Sequence, residues 1–157
     1  MPRDRFLARL FLVALVVRLA AVLASALAGV GIGLDDMFQY DMLARSLVGG
    51  QGYRWYAAPD LERLKPYVEF DFTGANYDPG GVLTSFRPPL YPVLLAIVYA
   101  VSGLGFERFL AARIVQAFIG AALPLLTVVL ARRLFPGQER GARLAASVVA
   151  YYPMLVL

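Results

Sequence analysis

The sequence predicts an all-α membrane protein, with multi-pass transmembrane helices and a long outer first loop containing a short amphipathic surface helix. Three observations carry this prediction. Of 157 residues, 60% are hydrophobic and only 17% charged, well to the apolar side of a soluble domain. Long apolar stretches recur at about residues 10–34, 88–103, 109–131 and 144–157. Between the first two lies the single sizeable polar segment, 35–87, rich in acids, aromatics, Gly and Pro.

Residues 10–34 hold one charge, Arg18, and exceed the roughly 20 apolar residues that cross about 30 Å of hydrocarbon. "MPRDR" and "ASALA" also suit a signal peptide, but the apolar run is long for one and is interrupted by Arg, which favours a membrane helix. In the loop, residues 36–48 place Met37, Tyr40, Leu43, Ala44, Leu47 and Val48 at helical spacing, with Gln39, Asp41, Arg45 and Ser46 on the other side. This predicts a short helix lying on the membrane surface, supported by an Asp41–Arg45 i,i+4 pair and stopped by Gly49-Gly50. Pro88 and Pro89 open the second, rather short span. The third carries Arg113, Gln116 and a kink at Pro124. The fourth is in mid-span at Leu157, as expected of the N-terminal part of a longer, truncated architecture. Arg3, Arg5 and Arg9 favour a cytoplasmic N-terminus and an outward 35–87 loop. Arg132, Arg133, Arg140 and Arg143 then face outward too, against the usual bias of basic residues.

With no Cys and no His, disulfides, thiolate or imidazole metal sites and Ser-His or Cys-His nucleophiles are excluded. Acid-base chemistry falls to carboxylates, Tyr, Lys or Arg. The net charge of +4 comes mostly from scattered Arg, which suits anionic lipid rather than nucleic acid. Asp35 and Asp36 sit where the first span ends. They suit a helix cap and its dipole; equally, Asp36 with Tyr40 one turn on suits a base acting on a hydroxyl at the bilayer surface. An aspartate, ordinarily titrating near 3.9, needs burial or strong alignment for that role, and a lid of loop aromatics would bury it. Arg87, just before the second span, suits either a lipid headgroup or a bidentate phosphate contact. Arg18 and Arg113 lie within apolar spans, where an Arg is costly unless paired or facing a polar cavity. Tyr53, Trp55, Tyr56, Tyr67, Phe70, Phe72 and Tyr77 read as an interfacial belt or a surface that stacks on sugars. "GVGIG" lacks the strand and helix of a dinucleotide site, and "DFTGANYD" lacks calcium-loop spacing. Asp35 and Asp36 offer a divalent ion no trustworthy third ligand.

The ordered set has a family likeness. A span with an inner Arg precedes Asp at its outer exit, then "D-x-x-x-Y-x-x-L-A-x-x-L-x-x-G-x-G-Y" from Asp36 to Tyr53. After these come "RPPLYP", "AARIVQAFIGA" and a late "YYP". This resembles the N-terminal part of GT-C fold glycosyltransferases, in particular the protein O-mannosyltransferase and lipid A aminoarabinose transferase superfamily. The resemblance implies a multi-spanning inverting enzyme in a bacterial cell membrane. It would move a sugar from a polyprenyl-phosphate carrier to a lipid, glycan or protein acceptor on the outer face, with no cofactor beyond that donor. It implies Asp36 as catalytic base with Tyr40 one turn on; Asp35 is a supporting carboxylate, and the countercharge a leaving phosphate needs makes Arg87, with Arg18 if it points inward, the expected ligands of the donor phosphate. Relatives often carry Glu directly after that Asp; here Met37 stands there. The resemblance also implies further spans, so these 157 residues alone would lack most of a substrate cavity and be inactive. Two other readings compete: a transporter segment whose intramembrane Arg residues line a path, and a noncatalytic membrane fragment or assembly subunit.

Overall fold

The computed structural model describes residues 5–31, 33, 35–67, 74 and 76–152. Phe70, Phe72, half of "DFTGANYD" and the end of the expected fourth span, 153–157, lie outside the described residues. The chain is mostly helical and divides into two compact units, residues 1–30 with 113–157, and 31–112.

In the first unit, helix α1 (Arg5–Leu27) and the greater part of helix α5 (Glu107–Leu134) are each long and apolar enough to cross a membrane. Both present large apolar side chains outward, among them Leu12, Val16, Leu23, Leu126 and Leu130. The α1 helix starts earlier and stops sooner than the apolar run 10–34 predicts. Gly29 takes a left-handed φ of 66°, and this conformation ends the helix although the side chains stay apolar. The end is held from α5, where Arg113 Nη2 donates to Val30 O at 2.8 Å. Helix α6 (Glu139–Tyr151) begins five residues before the predicted span. Its first turn is fixed by Glu139, which accepts from Arg132 at 2.7 Å and from Arg143 at 2.7 Å. Those hydrogen bonds bring the Glu139 carboxyl down to about 2. The three helices bury Leu10, Ala14, Ala121, Val128, Ala146 and Ala150. Alanines at the contact allow the backbones to approach closely, as membrane helices do.

In the second unit, helix α2 (Asp36–Val48) follows the sequence reading residue for residue. Asp35 is its cap, accepting Met37 N–H at 2.9 Å, and Gly50 at φ 70° takes the chain out. The helix does not lie with one polar face free. Asp41 and Ser46, assigned to that face, are buried, and Met37, assigned to the apolar face, is exposed. The loop is more structured than its composition suggests. Strand β1 (Arg54–Trp55) pairs antiparallel with β2 (Val82–Leu83), and helix α3 (Ala58–Leu64) starts with Pro at its first turn. Phe38, Met42 and Leu64 form a small core against which Trp55 and Tyr56 pack. Of the described loop aromatics, Trp55 and Tyr56 pack into the loop's own core, with Trp55 5.0 Å from Tyr56 and 5.7 Å from Phe86, while Tyr67 is exposed. Helix α4 (Leu90–Ser102) has 13 residues, ~20 Å at 1.5 Å per residue, short of a full bilayer crossing.

Gly81 closes the β1–β2 corner. Its φ is +98°, and a Cβ there would stand 2.6 Å from Trp55 O. Gly81→Ala therefore costs about 1–3 kcal/mol of left-handed and steric strain. Gly50→Ala, where nothing lies within 4 Å, carries only the backbone share. Thermal unfolding followed at Trp55, the single tryptophan, is expected to rank the two in that order.

Candidate functional site

The site is built at the start of α2. The Asp35 cap leaves Asp36 as the first helical residue, and one turn of helix puts Gln39 and Tyr40 beside it. Opposite stands Arg87, on the segment entering α4. Its backbone is fixed by Tyr53, whose hydroxyl donates to Arg87 O at 3.0 Å and to Pro88 O at 3.3 Å. Arg87 Nη2 donates to Asp36 Oδ1, and Arg87 Nε donates to Gln39 Oε1 at 2.8 Å. The guanidinium carbon lies 5.4 Å from the Tyr40 ring centre and 5.1 Å from that of Phe86. Tyr40 in turn meets Tyr91 edge-on at 5.0 Å.

Of the residues singled out in the sequence, Asp35, Asp36, Tyr40 and Arg87 are therefore brought together. Fifty-one positions separate Asp36 from its guanidinium partner. One expectation changes: the Asp36 side chain is 67% exposed, not covered by a lid of described aromatics. Any role as a base rests on alignment rather than desolvation. Gln39 and Tyr53 were not singled out for the site. Tyr53 carries a visible signal, since it closes the Gly-x-Gly-Tyr run; Gln39 carries none beyond its place one turn after Asp36.

Beneath this surface lies a buried ionic cluster. Asp41, 1% exposed, accepts from Arg45 Nε at 2.8 Å, from Arg108 Nε at 2.9 Å and from the Tyr99 hydroxyl at 3.1 Å. Arg45 Nη2 also donates to Asp60 at 2.6 Å, and Arg108 Nη1 donates to Leu104 O at 2.8 Å and Gly105 O at 2.9 Å. Two carboxylates and two guanidinium groups balance in charge and join α2, α3, α4 and the first turn of α5. Burial by itself pushes the Asp41 carboxyl up, but the Arg108 hydrogen bond and the Arg45 charge outweigh it and hold it below the usual carboxylate range.

Arg18 belongs to the other unit. It is 2% exposed, with Nη1 donating to Ala14 O and to Ala150 O, each at 3.2 Å. Its Nε and Nη2 have no hydrogen-bond partner among the described residues. Room for it comes from Gly120, where a Cβ would stand 2.8 Å from Nε. An Arg within an apolar span costs about 2.5–3.5 kcal/mol on insertion scales, and its unmet donors add to that. Arg18→Met is therefore expected to raise resistance to denaturant in detergent, with a gain on the order of 3 kcal/mol. Unchanged or lowered resistance would show that Nη1 holding the Ala150 carbonyl outweighs the orphaned donors.

Among the described residues no group of three or more His, Cys, Asp or Glu is placed to hold a metal ion. A cleft of about 500 Å³ in the second unit is lined by Phe38, Leu104, Phe106 and Phe109 together with Arg63 and Arg108. Compared with protein-family models, with curated proteins and with solved structures, the chain matches none.

Proposed function

We propose that the chain is the N-terminal part of a multi-pass membrane glycosyltransferase of GT-C type that transfers a sugar from a polyprenyl-phosphate donor to a hydroxyl acceptor. The transfer takes place on the outer face of a bacterial cell membrane. The observation that carries the reading is the meeting of Asp36 and Arg87 beside Tyr40. Asp36 takes the proton of the acceptor hydroxyl as its oxygen bonds to the anomeric carbon with inversion. The bond from that carbon to the phosphate oxygen breaks, and the electron pair leaves on the lipid phosphate. A leaving phosphate needs countercharge rather than a proton; Arg87 supplies it in a bidentate-capable fork. The two candidate membrane helices suit a donor whose tail stays in lipid.

The test is transfer of labelled sugar from a panel of polyprenyl-phosphate donors, in membranes carrying the complete reading frame that includes this chain. Turnover of a donor that depends on the gene supports the reading. If no donor is turned over by wild-type membranes with verified expression, the glycosyltransferase reading falls.

A further inference from the structure

The two groups assigned to base and phosphate ligand occupy each other. Arg87 Nη2 is taken by Asp36 and Arg87 Nε by Gln39, so a phosphate cannot take both edges of the guanidinium while the pair is closed. In the same state an Asp36 oxygen is committed to Arg87 rather than open to a hydroxyl. The pair is also lopsided. The Arg87 side chain is only 18% exposed; it is tethered by Gln39, contacted by Tyr40 and Phe86, and anchored through its backbone by Tyr53. Asp36 is two-thirds exposed and has no other partner among the described residues' side chains. When the pair opens, the part that moves is Asp36. An exposed ion pair is worth little, whereas a phosphate offers Arg charge-assisted hydrogen bonds through two oxygens.

We propose that the Asp36–Arg87 ion pair is a resting latch that a substrate phosphate opens, by taking Asp36's place on the Arg87 guanidinium and releasing the carboxylate. This rests on the reading of Asp36 as base and Arg87 as phosphate ligand, and adds an order to it: the phosphate-bearing substrate binds first, and only then is Asp36 free for an acceptor hydroxyl.

Trp55 provides the readout, because it lies 5.7 Å from Phe86, which in turn lies 5.1 Å from the guanidinium carbon. The chain in detergent micelles is titrated with a short-chain polyprenyl monophosphate, with inorganic phosphate, and with the uncharged polyprenol as control. Saturable quenching by phosphate that Arg87→Gln removes is expected. Asp36→Ser, which removes the competitor, and Asp36→Asn, which strips its charge but keeps an acceptor, are expected to tighten the apparent Kd by up to about fivefold, the loss of one exposed ion pair. Tightening with both phosphates assigns the latch to phosphate as such; tightening with the lipid phosphate alone assigns it to a lipid-borne headgroup. Binding that needs Arg87 but is unchanged or weakened in both Asp36 variants sinks the latch and leaves the phosphate role of Arg87 standing. Binding indifferent to Arg87→Gln, or absent altogether, sinks both.

Discussion

Asp41→Ala is expected to cost the second unit about 3–5 kcal/mol, the penalty for removing one partner of a buried ion pair. The loss is large because Arg108 is itself buried and keeps only the carbonyls of Leu104 and Gly105 as acceptors, while Tyr99 loses the acceptor of its hydroxyl. The exposed Arg54–Asp78 pair, 2.6 Å long, is the internal control: Asp78→Ala, which also gives up the Gly80 N–H, should shift unfolding much less. Thermal unfolding read at Trp55 measures both in the same background, and equal shifts would show that the cluster contributes no more than a surface pair. The same cluster predicts a pH dependence. Asp41 is held below the usual carboxylate range when folded, so its contribution is complete above the unfolded value near 3.9. It is lost as pH falls through the folded value. Acid should destabilise the wild type over that window, and Asp41→Asn should flatten the response.

What the sequence could and could not disclose follows from the range of the interactions. The α2 helix was legible to the residue because its signals are local: an Asp at the cap, an i,i+4 ion pair, two glycines at the stop. The face it buries was not. Periodicity assigned Asp41 to the outer side, and its burial becomes tolerable through Arg108, 67 positions away, and Tyr99, 58 positions away, beside the local Arg45. Similarly, hydropathy extended α1 through residue 34, because hydropathy weighs side chains and is blind to the backbone turn at Gly29. The site was legible as a set of residue types at one boundary, Asp36, Tyr40 and Arg87. Its geometry was not, since the closure of Arg87 onto Asp36 depends on Tyr53 holding a backbone 34 positions downstream.

Asp36→Asn is expected to reduce sugar transfer by about 10²–10⁴-fold, the usual share of a positioned acid-base group, with expression and folding intact. Two features of the chain separate this from a general loss of the helix start. The cap of α2 is made by the neighbour, Asp35 Oδ1 to Met37 N–H, so Asp35→Ala should lower stability by about 1 kcal/mol while leaving transfer measurable. Asn at position 36 remains a hydrogen-bond acceptor for Arg87, so the site keeps its shape and loses only the capacity to take a proton. Arg87→Gln should impair transfer through the leaving phosphate instead. Its defect should be smaller for donors whose leaving group is the weaker base, a dependence that Asp36→Asn has no reason to share. Transfer that survives Asp36→Asn but not Asp35→Asn would move the base to the capping residue. Transfer that survives both would leave α2 a structural element and place the chemistry elsewhere.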